Sequence, residues 1–495
     1  MLNVKIKNCH EGTKSQRNYK FKKLGAFVSW WQKLKIATKV QGIKADLRVI
    51  KFLCLCVLVA NLILPLQAAQ AGKYQFRSRY TDYVGPGRDQ PPRTDVNEVL
   101  IGYFGPNAGD MWCAAQMAIE QANKAGGYNG LPFRLTPAWS DSPWTAGAAH
   151  VVRMAYVDKV WAIIGGIDGP STHLAEQVVT KARLTLINPV SSDKSINLAN
   201  VPWMFSCTPA DHILAPVLAK SVATLLHPIK TEFALISATD HDSHLFTVEL
   251  LKSLIPYQIS PANKFEFDPT QKDFNELVNT IISITPNVLV IVAGSQQSAQ
   301  IVATIREKGF TGPIFGGPSM GRRSFCEEAA KAAEGVIFPL LYCSGPAGTD
   351  DDFESKFTRR FGNKPDYTAA YTYDAVNLLI AAIRQAGLNR ARIRDAVRNL
   401  SPYKGVTGSI NWDGLGSNCR PVGLGIIKNG CILRKESIGQ PFIQIEPLEF
   451  HLPFFELPSV SVISLSAAIF SKTSTPPPIQ RTSIRSTFVL SPNPK

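Results

Sequence analysis

Net charge is scarce on the stretch of chain that could fold. The 495 residues carry +15 overall, but residues 1–51 hold thirteen Lys and Arg against two acids, and residues 52–71 hold no charge. The tail 441–495 adds +1, which leaves +3 for residues 72–440. A phosphate-binding surface needs Lys and Arg clustered on the folded body, so no nucleic-acid partner is expected. Signatures of catalysis are also lacking. There is no H-E-x-x-H and no Walker loop, and Gly102 to Gly109 does not have the dinucleotide-binding spacing. No C-x-x-C pair suggests a zinc or redox centre. The expectation is a protein that is not an enzyme and takes no cofactor.

A long hydrophobic run is missing as well. The apolar segment 52–66, FLCLCVLVANLILPL, is shorter than the ~20 residues a spanning helix needs. Arg48 and Lys51 precede it and Ala69-Gln70-Ala71 follows. Basic flank, short apolar core and A-x-A end describe a secretory signal peptide, with cleavage expected after Ala71. An uncleaved membrane anchor is the alternative. Export would leave six cysteines, Cys113, Cys207, Cys326, Cys343, Cys419 and Cys431, in an oxidising compartment. Cys326 with Cys343, and Cys419 with Cys431, are candidate disulfides; six unpaired thiols are the alternative.

The body alternates. Residues 72–96 are rich in Gly, Pro, Arg and Asp and read as a linker. Short apolar strands such as VLIGYF (99–104), AIIGG (162–166) and LTLIN (184–188) then alternate with stretches of helical spacing. The alternation restarts at FALIS (233–237) and continues through VLVIVAG (288–294). This pattern predicts an α/β fold with parallel sheets covered on both faces. Two passes of it predict two similar lobes with a cleft between them. Ligands in such sheets bind beyond the carboxyl ends of the strands, where helix N-termini offer N–H groups.

Several segments then become specific. IGYFGP (101–106), AIEQANKAGGYNG (118–130), AIIGGIDGPSTHLAEQV (162–178), INPVSSD (187–193), GPIFGGP (312–318), YTYDAVNLLIAAI (371–383) and GVTGSINWDGLG (405–416) occur in order. This ordered set resembles the substrate-binding proteins of ABC transporters of the branched-chain amino acid, or leucine-binding, type. The resemblance covers about residues 97–436 and implies the type I periplasmic binding protein fold, an α/β fold of two doubly wound, Rossmann-like lobes. Three hinge crossings are expected near Ser206–Pro216, Phe338–Ser344 and Lys404–Trp412. Lobe 1 would be about 97–210 plus 344–404, and lobe 2 about 211–340 plus 405–436. The tail 437–495, rich in Pro, Ser and Thr, resembles nothing in the family and reads as disordered.

The resemblance also implies a site. Gly169, Ser171 and Thr172, with Val190, Ser191 and Ser192, fall on the segments that hold the ligand carboxylate in the family. Hydroxyls and N–H groups at a helix start suit an anion on chemical grounds too, although Ser171 or Thr172 could equally be a plain N-cap. On lobe 2 the matching positions read Asp242, Ser295 and Ser319. The family's ammonium-pairing acid is thus replaced by Ser319, while Asp242 stands where an aromatic is expected. Either Asp242 pairs with an ammonium, or the ligand is an amide, urea-like solute or carboxylate. Trp112 either covers the ligand or packs in the helix face. The loop Asp240-His241-Asp242-Ser243-His244 is rich in metal-ligating types, but neighbours on one tight loop rarely converge on an ion, so no metal is expected. The expected role is a periplasmic, monomeric carrier that hands a small solute to a membrane permease and its ATPase. A ligand-sensing receptor module without a transport role is the alternative.

Overall fold

A computed structural model describes residues 83, 85–140, 146–229, 232–343 and 353–435. The expected basic extension, signal segment and tail lie outside the described residues, as does the start of the linker.

Lobe 1 is built on five parallel strands. They are β1 (Val99–Phe104), β2 (Phe133–Ala138), β3 (Ala162–Gly165), β4 (Thr185–Asn188) and β5 (Met204–Ser206), in the order β2-β1-β3-β4-β5. Every residue of β3 and β4 is buried. Strands covered on both faces need apolar residues in succession rather than in alternation, and that is what their sequences supply. The connecting helices are α1 (Gly109–Lys124), α2 (Ala148–Tyr156), α3 (Gly169–Ala182) and the single-turn α4 (Ser195–Leu198).

Lobe 2 repeats the same order. Strands β6 (Phe233–Ala238), β7 (Asn263–Phe267), β8 (Val288–Val292), β9 (Ile314–Gly316) and β10 (Ile337–Leu340) are arranged β7-β6-β8-β9-β10, all parallel. Helices α5 (Asp211–Ile229), α6 (His241–Leu254), α7 (Asn275–Ser283), α8 (Ser295–Glu307) and α9 (Arg323–Ala329) accompany them. In both lobes the strand order reverses beside the first strand, between β1 and β3 and between β6 and β8. The loops that follow those strands form the natural binding edge of an open α/β sheet.

The chain then returns to lobe 1 as α10 (Phe353–Phe361), α11 (Tyr367–Ala386) and α12 (Arg390–Asn399). Arg384 of α11 donates to the carbonyls of Ala122 and Gly127 beside α1, and Arg390 of α12 donates to Val160 O beside β3. A hairpin of β11 (Tyr403–Gly405) and β12 (Gly408–Ile410) follows. Finally β13 (Gly423–Lys428) and β14 (Cys431–Lys435) extend the lobe 2 sheet as an antiparallel edge on β10.

The third crossing falls later than the sequence suggested. Residues 405–412 were expected in lobe 2. Instead the Asp374 carboxylate of α11 accepts from Val406 N (2.8 Å), Thr407 N (2.9 Å) and Thr407 Oγ1 (2.6 Å), which holds the β11–β12 hairpin to lobe 1. Trp412 Nε1 donates to Val397 O of α12. The crossing proper lies between Trp412 and Gly423, where it is tied to the other two. Asn418 N donates to Ser206 O and Asn418 Nδ2 to Cys207 O, while Arg420 Nη2 donates to Leu341 O and to the Tyr371 hydroxyl.

The candidate disulfides are not formed. Cys419 precedes β13 and Cys431 pairs with its last residue, Lys428. A six-residue strand spans about 20 Å, far beyond the ~7 Å Cα separation a disulfide tolerates. The Cys343 thiol donates to Ile432 O at 3.6 Å, and Cys326 is likewise a free thiol. Burial pushes the Cys326 thiol up to about 11.

Candidate functional site

The two lobes meet face to face, and charged groups make the contact. On one side, Gly169 N at the start of α3 donates to both carboxylate oxygens of Asp242 from α6, at 3.0 and 3.1 Å. Next to it, His241 Nε2 lies 2.9 Å from Asp193 Oδ2 in the loop after β4. Lys194 bonds Glu249 of α6. On the other side, Arg323 at the start of α9 grips the Asp110 carboxylate of α1 with two bonds, of 3.1 and 2.9 Å. Arg322 Nε donates to Tyr367 OH and Arg323 N to Asp366 Oδ2, both at the start of α11.

Gly169 is required here by close approach. A Cβ on it would stand 2.5 Å from Asp242 Oδ1, 2.7 Å from Asp193 Oδ2 and 2.8 Å from His241 Cδ2. Three polar side chains from both lobes therefore converge on the bare backbone at the head of α3.

The head of α3 is satisfied within the protein. Asp168 is its N-cap: Asp168 Oδ1 accepts from Ser171 N at 2.8 Å and Ser171 Oγ faces back to Asp168, forming a capping box. Thr172 Oγ1 donates to Asp168 O. Ser171 and Thr172 are fully buried. Pro170 has no N–H to offer. Of the donors at this end, Gly169 N remains, and Asp242 takes it.

The other expected residues are placed as follows. Asn188 Oδ1 accepts from both Val190 N (3.1 Å) and Ser191 N (2.9 Å), so those amides are engaged, and Ser191 Oγ accepts from Asp193 N. Ser192 O accepts from Asp211 N, and the Ser192 side chain bonds the Asp211 carboxyl, which burial drives far above its ordinary range. Trp112 stacks edge-on against Tyr103 of β1, ring centroids 5.1 Å apart, and rests on the core. Ser295 Oγ accepts from Ser324 Oγ at 2.9 Å, and Ser319 Oγ donates to Ala293 O at 2.6 Å. Reading the sequence for catalytic signatures overlooked Gly317-Pro318-Ser319-Met320-Gly321, which has the G-x-S-x-G spacing of a hydrolase elbow around Ser319. Its hydroxyl proton goes to a carbonyl rather than to a base, so the geometry is not that of an activated nucleophile.

Electrostatics mark the same contact. Burial pushes the Asp242 carboxyl up to about 7, against the Gly169 N–H that favours its charged form, and Asp168 and Asp193 add to the rise. Burial pushes Asp193 in the same direction, but His173, His241 and Ser195 outweigh it and hold the carboxyl well below the usual range. His173 is raised to about 9 by Asp193 and Glu176. Asp110 is raised by burial, with Arg323 opposing. Reading the sequence missed Asp110, Asp193, Lys194, Glu249, Arg322 and Arg323. Their partners lie far away in the chain, and no local spacing signals them. A cavity of about 250 Å³ lined by Tyr83, Trp161, Arg183, Trp203 and Arg390 sits beside lobe 1 and includes none of the site residues.

Two lobes of equal topology thus meet across a polar contact. Residues 98–421 match the family model described as periplasmic binding protein, and the chain belongs to that family. An amino acid binding protein of Pseudomonas aeruginosa is 25% identical over 338 residues, 64% of this chain and 86% of the relative. Among solved structures, the branched-chain amino acid transporter substrate-binding protein LivJ of Streptococcus pneumoniae, in complex with isoleucine, aligns with a TM-score of 0.61 at 19% identity. It covers 68% of this chain and 100% of its own. A solute-binding protein of an ABC transporter from R. palustris, in complex with benzoate, aligns at 0.60 with 14% identity, covering 68% and 95%. The fold is that of the type I periplasmic binding proteins, and the relatives are solute-binding proteins, not enzymes.

Proposed function

We propose that this protein is the exported solute-binding component of an ABC importer, and that it captures a small carboxylate-bearing solute, an α-amino acid foremost, by closure of its lobes. The observation that supports this reading is the bond from Gly169 N in lobe 1 to the Asp242 carboxylate in lobe 2. A helix N-terminus that already receives a carboxylate is suited to a solute carboxylate. A solute that displaces Asp242 from this N–H leaves the Asp242 carboxylate facing the same small space, where it pairs with the solute's ammonium. The solute then contacts both lobes, binds the closed form better and shifts the population toward it. Membrane permease and ATPase subunits are the partners this role implies, in the periplasm, with the leader removed after Ala71. Sequencing the N-terminus of the exported protein checks the last point.

A second reading has an observation behind it. The residue matching the family's ammonium-pairing acid is Ser319, and its hydroxyl is bound to Ala293 O. A carboxylate without an ammonium, as in the benzoate-binding relative, needs no such acid. Calorimetry with leucine, isoleucine, benzoate and small amides separates the two. With Asp242→Ala, the amino-acid reading expects a loss of at least about tenfold, or ~1.4 kcal/mol, for amino acids. The carboxylate reading expects unchanged or tighter benzoate binding, because the competitor for Gly169 N is gone. Unchanged amino-acid affinity in Asp242→Ala removes the first reading.

A further inference from the structure

One group of side chains at the lobe contact has a geometry of its own. His173 Nε2 lies 3.2 Å and His241 Nε2 2.9 Å from the same oxygen, Asp193 Oδ2. The ligand-type atoms of these three residues all fall within 4.8 Å of one another. The two rings stand nearly perpendicular, with centroids 6.1 Å apart, so their nitrogens converge on the carboxylate without the rings stacking. In a tetrahedral site with bonds of about 2.0–2.1 Å, donor atoms sit roughly 3.3 Å apart. Two of the three separations are within a few tenths of an ångström of that.

The surroundings fit as well. His173 Nδ1 faces Glu176 Oε2 at 3.2 Å. This is the carboxylate–histidine arrangement that fixes a ligating imidazole with its other nitrogen toward the ion. Glu176 is buried, and its second oxygen, Oε1, has no hydrogen-bond partner among the described residues. Ser195 N donates to Asp193 Oδ1 at 2.7 Å, Oδ2 faces the two histidines, and Ser195 Oγ, 2.7 Å from His173 Nε2, must give way when that nitrogen takes an ion.

We propose that His173, Asp193 and His241 form a binding site for a divalent transition-metal ion, zinc in class, that fastens the closed lobes to each other. His173 on α3 and Asp193 after β4 belong to lobe 1, and His241 at the start of α6 belongs to lobe 2. Opening the lobes leaves two ligands on lobe 1, and closing them supplies the third. An ion that gains a ligand on closure favours the closed form by its difference in affinity for the two states. Three protein ligands leave a tetrahedral ion one position for water or a solute donor. The sequence spoke against a metal at Asp240–His244 because neighbours on one loop do not converge. The proposed site draws a single residue from that loop and the other two from the opposite lobe. It does not depend on which solute the cleft takes.

The test is calorimetric titration of Zn²⁺ alone into the demetallated full chain, with Co²⁺ absorption as a probe of tetrahedral geometry. One equivalent is expected to bind at micromolar concentration or tighter. His173→Ala and His241→Ala should each weaken it at least about tenfold, and Glu176→Gln about 10- to 100-fold. His244→Ala, an exposed histidine in the first turn of the same helix, α6, should leave it unchanged. The His241 side chain is 42% exposed, so its variant is the one expected to stay folded, checked by circular dichroism. Small-angle scattering should show Zn²⁺ compacting the wild type and not His241→Ala. No stoichiometric binding, or binding unaffected by His173→Ala and His241→Ala, would overturn the proposal.

Discussion

The two lobes share a strand order but not a way of beginning the helices that follow their third strands. In lobe 1 the helix after β3 starts with a capping box, a proline and an N–H taken by Asp242. In lobe 2 the corresponding helix, α8 after β8, starts from Gly294 with no side-chain cap. Lobe 2 sends polar side chains outward instead, with His241 and Asp242 on α6 and Arg322 and Arg323 ahead of and on α9. Equal topology therefore fixes where a binding edge lies, not which lobe donates and which accepts. Lobe 1 brings a bare backbone N–H at Gly169 besides the side chains of Asp110, Asp193 and Lys194, whereas lobe 2 brings the side chains of His241, Asp242, Glu249 and Arg323.

The largest way to break this division is to fill the gap at Gly169. Gly169→Val places atoms where Asp242, Asp193 and His241 now stand. The lobes should be held apart, with solute affinity falling by about a hundredfold or more, about 2.7 kcal/mol, while each lobe stays folded. Small-angle scattering and calorimetry check this; an intact closed form means the contact is softer than its geometry implies.

Next in size is the opposite edge. Arg323 holds Asp110 with two charge-assisted bonds, and the Asp110 side chain is 11% exposed. Arg323→Ala should weaken closure by about 1.5–3 kcal/mol, because it strands a buried carboxylate. Asp110→Ala with Arg323→Ala should be no worse than the worse single variant in a double-mutant cycle. Additive losses mean that the pair is not coupled.

A smaller effect sharpens the contrast between helix starts. Asp168→Ala removes the lobe 1 cap and should cost about 1 kcal/mol, lowering Tm by roughly 2 °C. Gly294→Ala in lobe 2 removes no cap, so calorimetric scanning should find it the milder change. The reverse ranking would show that the cap contributes little to lobe 1.

The smallest expected effect concerns the hairpin that lobe 1 keeps. Burial pushes Asp374 up to about 6, although Thr407 and Val406 donate to it. A carboxyl raised on folding contributes stability that is full below about pH 4, its unfolded value, and is lost as pH rises through 6. Stability of the wild type relative to Asp374→Asn should therefore fall between pH 4 and 7, as read in urea titrations. A flat difference means that Asp374 is not perturbed.

Much of the architecture was readable along the chain. Runs such as Val99–Phe104 and Val288–Val292 are apolar at successive positions because both faces of a parallel strand are covered. The polar ends that follow them mark the binding edge. The third crossing was misplaced because Asp374 and the amides of Val406 and Thr407 are more than thirty residues apart. The Cys419–Cys431 pair failed for a different reason: the two were read as flanking a strand, and the length of that strand, β13, is what keeps them apart. Ser171 and Thr172 were legible as helix-start residues, but the capping bonds that occupy them depend on the conformation of Asp168.

What the sequence determined by itself is therefore the repeated pattern of strand and helix, the near-neutral body and the family to which that body belongs. Such features rest on periodicity and short-range order, which are local properties of a chain. The tertiary structure decided what meets across the cleft. Gly169 with Asp242, Asp193 with His241 and Asp110 with Arg323 are separated by 73, 48 and 213 residues. Electrostatic and hydrogen-bond energies depend on distance in space, and for these groups the closed fold alone makes that distance short.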